Sequence, residues 1–333
     1  MRRAVPLLLL ALLAPLIGCG EKHDVLEPSG SKQVSLMLDY FPNADHAGIY
    51  AAQAAGDFEQ AGLKVDIRQP SDPAAPIKQV AAGRVDVAIS YEPELMRARD
   101  QGLNVVAIGA LIRGPLTSII SLPAAGIRKP ADLKGKTVGT AGIDYQAAYL
   151  DTILDEAGVA SDSVKRRNVG FGLVPALLTG KVDAVLGAFW NYEGVQLRLE
   201  GKRPRIIRMD EAGVPTYDEL VLVANGDALK RDADKLRAFI GAISRGVREL
   251  RSDPDKGIEG LLEANPDLDP KLQRAAVKVT LPLMEAPKGK PFGWQNPREW
   301  DAFGAWMQEK NLLEQAPDVP ASFDNSLLPG SGL

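Results

Sequence analysis

Three short stretches carry residue types able to recognise a small polar ring. Asp39-Tyr40-Phe41-Pro42-Asn43-Ala44-Asp45-His46 combines carboxylates, two aromatics, an amide and one of the chain's two histidines. Ser90-Tyr91-Glu92-Pro93-Glu94 and Phe189-Trp190-Asn191-Tyr192-Glu193 repeat the theme of aromatic beside acid. Aromatic faces stack on planar rings, carboxylates accept hydrogen bonds from amino groups, and amides both donate and accept. Together they suit a planar, nitrogen-rich heterocycle held in a cleft. Taken singly, the aromatics read as core and the histidine as structural, so their co-occurrence carries the argument. Reaction machinery is not evident: there is no G-x-G-x-x-G after a strand, P-loop, G-x-S-x-G elbow or H-E-x-x-H. With one cysteine and two histidines, a disulfide and a multi-histidine or cysteine-rich metal centre are not expected, nor is a cofactor.

The elements around these stretches alternate. Val34 to Leu38 reads as a strand, with a helix from about His46 to Ala61 and a second strand from Leu63 to Ile67. A helix ending at Gly83, a strand Val85–Ile89, a helix to about Gln101 and a strand Asn104–Leu111 follow. The pattern restarts with a strand at 136–139, helices at 144–157 and 173–179, and a strand at 183–187. Such alternation implies βαβ units and a mostly parallel sheet, where ligands sit at strand carboxyl ends. Gly83-Arg84-Val85-Asp86-Val87-Ala88-Ile89 is echoed by Gly180-Lys181-Val182-Asp183-Ala184-Val185-Leu186. Chance likeness of two turns, or two lobes of similar design, would each explain it. After a strand at 219–224 the chain reads as wholly helical, and this block is expected to pack back on the first lobe. The 333 residues then form two interleaved lobes, 34–116 with 222–333 and 117–221, with crossings near 113–121 and 217–224.

The amino terminus reads as an export signal. Met1-Arg2-Arg3 precedes an apolar run, Leu7 to Ile17, whose eleven residues are too few to span about 30 Å of hydrocarbon. It closes on Leu16-Ile17-Gly18-Cys19, the pattern of a lipobox, which makes Cys19 the expected lipidation site and residues 1–18 a signal peptide. Residues 19–33 then form a flexible tether, and the body is expected on the extracytoplasmic face of a membrane. Removing residues 1–18 takes away two arginines and no acid, which turns a net charge of −4 into −6. That balance gives no reason to expect nucleic acid as a partner.

The motifs resemble a known family. Leu38 to Asn43, His46-Ala47-Gly48, Ala51-Ala52-Gln53, Gly56-Asp57-Phe58, Ser90 to Pro93, Gly187-Ala188-Phe189 with Asn191 and Glu193, and Tyr217-Asp218-Glu219 are similar to the thiamine-pyrimidine family. That family contains binding proteins of ABC importers for thiamine pyrimidine precursors, and the fungal pyrimidine synthases. The resemblance implies an α/β type II periplasmic-binding-protein fold, two lobes joined by a two-crossing hinge with a ligand cleft between them. It implies capture of a formylaminopyrimidine or hydroxymethylpyrimidine, delivery to a permease with its ATPase, and a monomer; riboflavin or another heterocycle is an alternative ligand. By resemblance Asp39, Tyr40, Asn43, His46, Tyr91, Trp190, Asn191 and Glu193 line the cleft, with Glu193 on the amino-pyrimidine edge and Asn191 on ring or amide polar atoms. Tyr40 stands where the family has a stacking tryptophan, and Trp190 where binding members carry arginine. The synthases carry a cysteine-rich segment; the region near Leu220 to Ala224 has none, so a processing enzyme is the lesser reading.

Overall fold

Ten strands form two five-stranded sheets in a computed structural model that describes residues 32–330. The signal segment, Cys19 and nearly all of the expected tether lie outside the described residues. The first sheet holds β1 (Lys32–Met37), β2 (Leu63–Arg68), β3 (Val87–Ser90), β4 (Val105–Arg113) and β10 (Asp218–Asn225), in the order β2-β1-β3-β10-β4. The second holds β5 (Thr117–Ser121), β6 (Thr137–Thr140), β7 (Lys165–Asn168), β8 (Ala184–Phe189) and β9 (Arg205–Arg208), in the order β7-β6-β8-β5-β9. In each sheet three strands run parallel and a fourth inserts antiparallel between the third and the edge: β10 against β3 and β4, β5 against β8 and β9.

This shared order explains the sequence echo. β3 and β8 occupy the same place in their sheets, and each follows a Gly-x-Val-Asp turn. Asp86 Oδ2 accepts the Ser35 backbone N–H of β1 at 2.8 Å, and Asp183 Oδ2 accepts the Thr137 N–H of β6 at 2.7 Å. Each aspartate thereby satisfies a backbone donor of its neighbouring strand, a need set by burial of the sheet. The helices that leave β3 and β8 both begin on glutamate, Glu92 and Glu193.

The chain passes between lobes at 114–116 and 209–217, one step earlier at the second crossing than the sequence suggests. Residues 218–225 are instead a fully paired strand of the first sheet, buried almost throughout. Part of the expected first crossing, Thr117–Ser121, is likewise an inner strand of the second sheet. The helix expected over 46–61 divides into a 3-10 turn Ala44–His46 and helices Ala47–Ala54 and Asp57–Gln60; the two helices part at Gly56, which takes φ +71°.

The helical carboxyl-terminal block packs on the first lobe, as its amphipathic helices require. The helix Gly226–Ser252 crosses Ala47–Ala54 with backbones in near contact. A Cβ placed on Gly246 would sit 2.2 Å from the Gly48 carbonyl oxygen, so a side chain there would force the helices apart. The block also reaches the second lobe, which the sequence does not suggest. Trp306 meets Tyr149 edge-on at 5.9 Å, and Lys310 Nζ lies 2.8 Å from Glu156. The helix Pro270–Thr280 touches both the 44–46 turn and the helix Glu193–Leu199 of the second lobe. No helix among the described residues is long and apolar enough to cross a membrane.

Candidate ligand-binding site

The lobes close on a small cavity of about 30 Å3 at the carboxyl ends of β1, β3, β6 and β8. The first lobe contributes Asp39, Tyr40, Asn43, Pro73 and Tyr91; the second contributes Tyr145, Gln146, Phe189, Tyr192 and Glu193, among others. This is the position that strand-end loops of open α/β sheets reserve for ligands.

Asp39 lies in the loop just after β1 and is 2% exposed. His46 Nε2 donates to its Oδ1 at 2.9 Å and the Tyr91 hydroxyl to its Oδ2 at 3.0 Å. On its other side Nδ1 accepts the Asn43 backbone N–H at 3.2 Å, which leaves Nε2 to donate to Asp39. Asn43 caps the 44–46 turn through Oδ1, which accepts the Asp45 N–H at 2.8 Å. His46 therefore stands behind Asp39, orients it, and does not reach the cavity.

Tyr40 spans the lobes. Its hydroxyl donates to the Phe171 carbonyl oxygen at 3.1 Å, and its ring meets Phe171 edge-on at 5.0 Å. Burial, then the nearby Glu193 carboxylate, pushes its phenol well above the usual range, so it stays protonated.

Glu193 opens the helix Glu193–Leu199 and is 6% exposed. Its Oε2 accepts the Phe189 backbone N–H at 2.7 Å. Burial raises its pKa to about 7, with Asp45 and Asp39 pushing the same way and backbone donors opposing. Gly187 supports this wall at φ +105°, and a Cβ there would meet the Gln146 amide at 2.4 Å. Only a residue without a side chain lets Gln146 pack against β8.

Asn191 and Trp190 face elsewhere. Asn191, fully buried, donates through Nδ2 to Asp45 Oδ1 at 2.6 Å and to Thr280 Oγ1 at 2.7 Å. Both partners belong to the first lobe and its helical block, so this is a link across the closed cleft beside the cavity. Burial lifts Asp45 to about 6. The Tyr192 hydroxyl, which accepts from Gln273 Nε2 at 3.0 Å, is a second such link. Trp190 Nε1 donates to the Pro115 carbonyl at 2.9 Å in the first crossing, and the Arg208 guanidinium lies 4.6 Å over its ring.

The crossings are joined by a buried carboxylate. Glu219 accepts from Leu116 N at 2.6 Å, Thr117 N at 2.7 Å, Thr117 Oγ1 at 2.8 Å and the Tyr217 hydroxyl at 3.0 Å. It ties one crossing to the other.

Of the residues expected in the cleft, Asp39, Tyr40, Asn43, Tyr91 and Glu193 line the cavity, whereas His46, Trp190 and Asn191 do not. Tyr145 and Gln146 line it without having stood out in the sequence. They begin the helix that follows β6, so the strand-end rule that selects the other loops would have found them had it been applied to that strand. No group of three or more His, Cys, Asp or Glu side chains able to hold a metal occurs among the described residues.

The pattern of the NMT1/THI5-like family matches residues 43–257, which covers the hinge and most of the cavity. The chain belongs to that family. A putative thiamine biosynthesis protein of Haemophilus influenzae is 38% identical over 296 residues, 87% of this chain and 91% of that one. A formylaminopyrimidine-binding protein of Halalkalibacterium halodurans is 35% identical, over 92% of this chain and 94% of its own. At 25% identity stands a 4-amino-5-hydroxymethyl-2-methylpyrimidine phosphate synthase of Legionella pneumophila, over 89% and 92%. The fold matches that of the alkanesulfonate-binding protein SsuA of Xanthomonas axonopodis, with a TM-score of 0.69, 16% identity, and coverage of 88% and 98%. The architecture is thus the two-lobed α/β fold of periplasmic binding proteins.

Proposed function

We propose that this chain is the solute-binding component of an ABC importer and captures a pyrimidine precursor of thiamine, of the formylaminopyrimidine or hydroxymethylpyrimidine type. The observation that carries this is the cavity itself: rings from both lobes and two buried carboxylates, enclosed between lobes that two crossings join. The family membership and the 35% identity to a formylaminopyrimidine-binding protein support the same ligand class. In this reading the first sheet with the helical carboxyl-terminal block and the second sheet with its helices are the moving bodies, and 114–116 and 209–217 are the hinge between them. The ring enters an open cleft, Glu193 accepts from its exocyclic amine, Tyr40 and Tyr91 cover its faces, and closure expels water. The closed form then docks on a permease whose ATPase lies in the cytoplasm. The body acts as a monomer outside the cytoplasm, held by lipid on Cys19, and performs no chemistry on its ligand.

Calorimetric titration of the purified chain with 4-amino-5-hydroxymethyl-2-methylpyrimidine and its formylamino analogue tests the ligand. Saturable heat and unchanged ligand after long incubation are expected. Absence of heat with every aminopyrimidine would sink the ligand assignment, and a converted product would favour a processing enzyme of the synthase type.

A further inference from the structure

The charge of the cavity separates two ligand classes that the family name alone does not. Among the residues that line it there is no lysine, arginine or histidine. Its charged or chargeable groups are Asp39 and Glu193, with the phenols of Tyr40, Tyr91, Tyr145 and Tyr192 between them. Asp45 stands one layer behind and pushes Glu193 in the same direction as Asp39 does. The imidazole behind Asp39 is engaged on both sides, by the Asn43 N–H and by Asp39, and does not line the cavity. Arg208 is stacked on Trp190, away from the cavity. Lys78 lines a separate space with Glu94 and Asp144.

We propose, on the reading that this cleft takes an aminopyrimidine, that it admits the uncharged or protonated ring and refuses its phosphate ester. A phosphate monoester carries about −1.5 to −2 charges near neutral pH. Closing the lobes over it would bury that charge beside Asp39 and Glu193, with no cation in the cavity lining to compensate. Buried charge without a partner is strongly disfavoured, and like charges add to the cost. A ring bearing an amine meets the opposite situation: Glu193 and Asp39 supply acceptors, and a protonated ring supplies the missing positive charge. Discrimination of this kind comes from a repulsive element built against the wrong ligand. The synthases among the relatives are named for a phosphorylated pyrimidine, so a cavity without cations marks this chain as a receptor for the free base.

The test compares 4-amino-5-hydroxymethyl-2-methylpyrimidine with its phosphate ester by calorimetric titration of the full chain, at equal ionic strength. The ester should bind on the order of a hundredfold weaker or worse. Glu193→Gln should narrow the gap by weakening the free base and tolerating the ester better. An ester that binds within tenfold of the free base overturns the proposal, whatever the absolute affinities. If neither pyrimidine binds, riboflavin against its phosphate ester reads the same property. A preference for riboflavin then sustains charge selection while the pyrimidine reading fails, and parity overturns both.

Discussion

Glu219 and Glu193 are two buried glutamates in one molecule with opposite duties. Burial raises each to about 7. Neither burial nor the direction of the shift tells them apart. Their partners do. Glu219 accepts from two backbone N–H groups, a threonine and a tyrosine hydroxyl, all in or directly beside the crossings, and lines no part of the cavity. Glu193 takes the Phe189 N–H on one oxygen and borders the cavity. A carboxylate whose acceptors are filled by its own fold is a fastener, and one that meets an enclosed space is available to a ligand. Perturbed titration alone would have picked both.

The largest effect should come from the fastener. Glu219→Ala strands two backbone donors and two hydroxyls in the protein interior and should cost about 3–4 kcal/mol of stability, read as a lowered midpoint in urea. Glu193→Ala should leave that midpoint near wild type while weakening ligand binding by about 1–3 kcal/mol. If the two variants exchange these phenotypes, the comparison is wrong.

Asn191→Ala refines it. The side chain joins lobes without lining the cavity, so its loss should speed ligand release several-fold and loosen the closed form by about 1–2 kcal/mol. Because it touches no ligand, the loss should be equal for ligands that differ only in ring substituents. A loss that varies with the substituent would put Asn191 back against the ring.

The smallest effect is on pH. Asp45 at about 6, and Glu94, Glu193 and Glu219 at about 7, lie above ordinary carboxylates because of burial. The folded chain therefore holds more protons than the unfolded chain between about pH 4.5 and 7, and stability falls as pH rises through that window. A melting temperature a few degrees lower at pH 8 than at pH 5.5 is expected, and Glu193→Gln should reduce the difference slightly. A temperature that rises with pH would contradict the burial account.

Much of the fold was legible because strongly apolar strands and the two Gly-x-Val-Asp turns mark the sheet centres. The edges were not. β7, Lys165-Arg166-Arg167-Asn168, is exposed at all four positions, and β9 carries arginine at both ends, so neither shows the buried pattern that sequence reading depends on. The site divided in the same way. Asp39, Tyr40 and Glu193 follow strands that were read correctly, and the structure sets them on the cavity. Asn191 sits in the same short stretch as Glu193, yet its side chain turns to Asp45 and Thr280, partners 146 and 89 residues away. Spacing places a residue on a loop, while tertiary partners decide which way it faces.

The central claim is tested most directly by what the protein carries. Chain purified from its native source under non-denaturing conditions should release, on unfolding, an unphosphorylated aminopyrimidine identified by mass spectrometry, in near-stoichiometric amount. Recovery of a phosphorylated pyrimidine, or of a ligand without a ring, would contradict it.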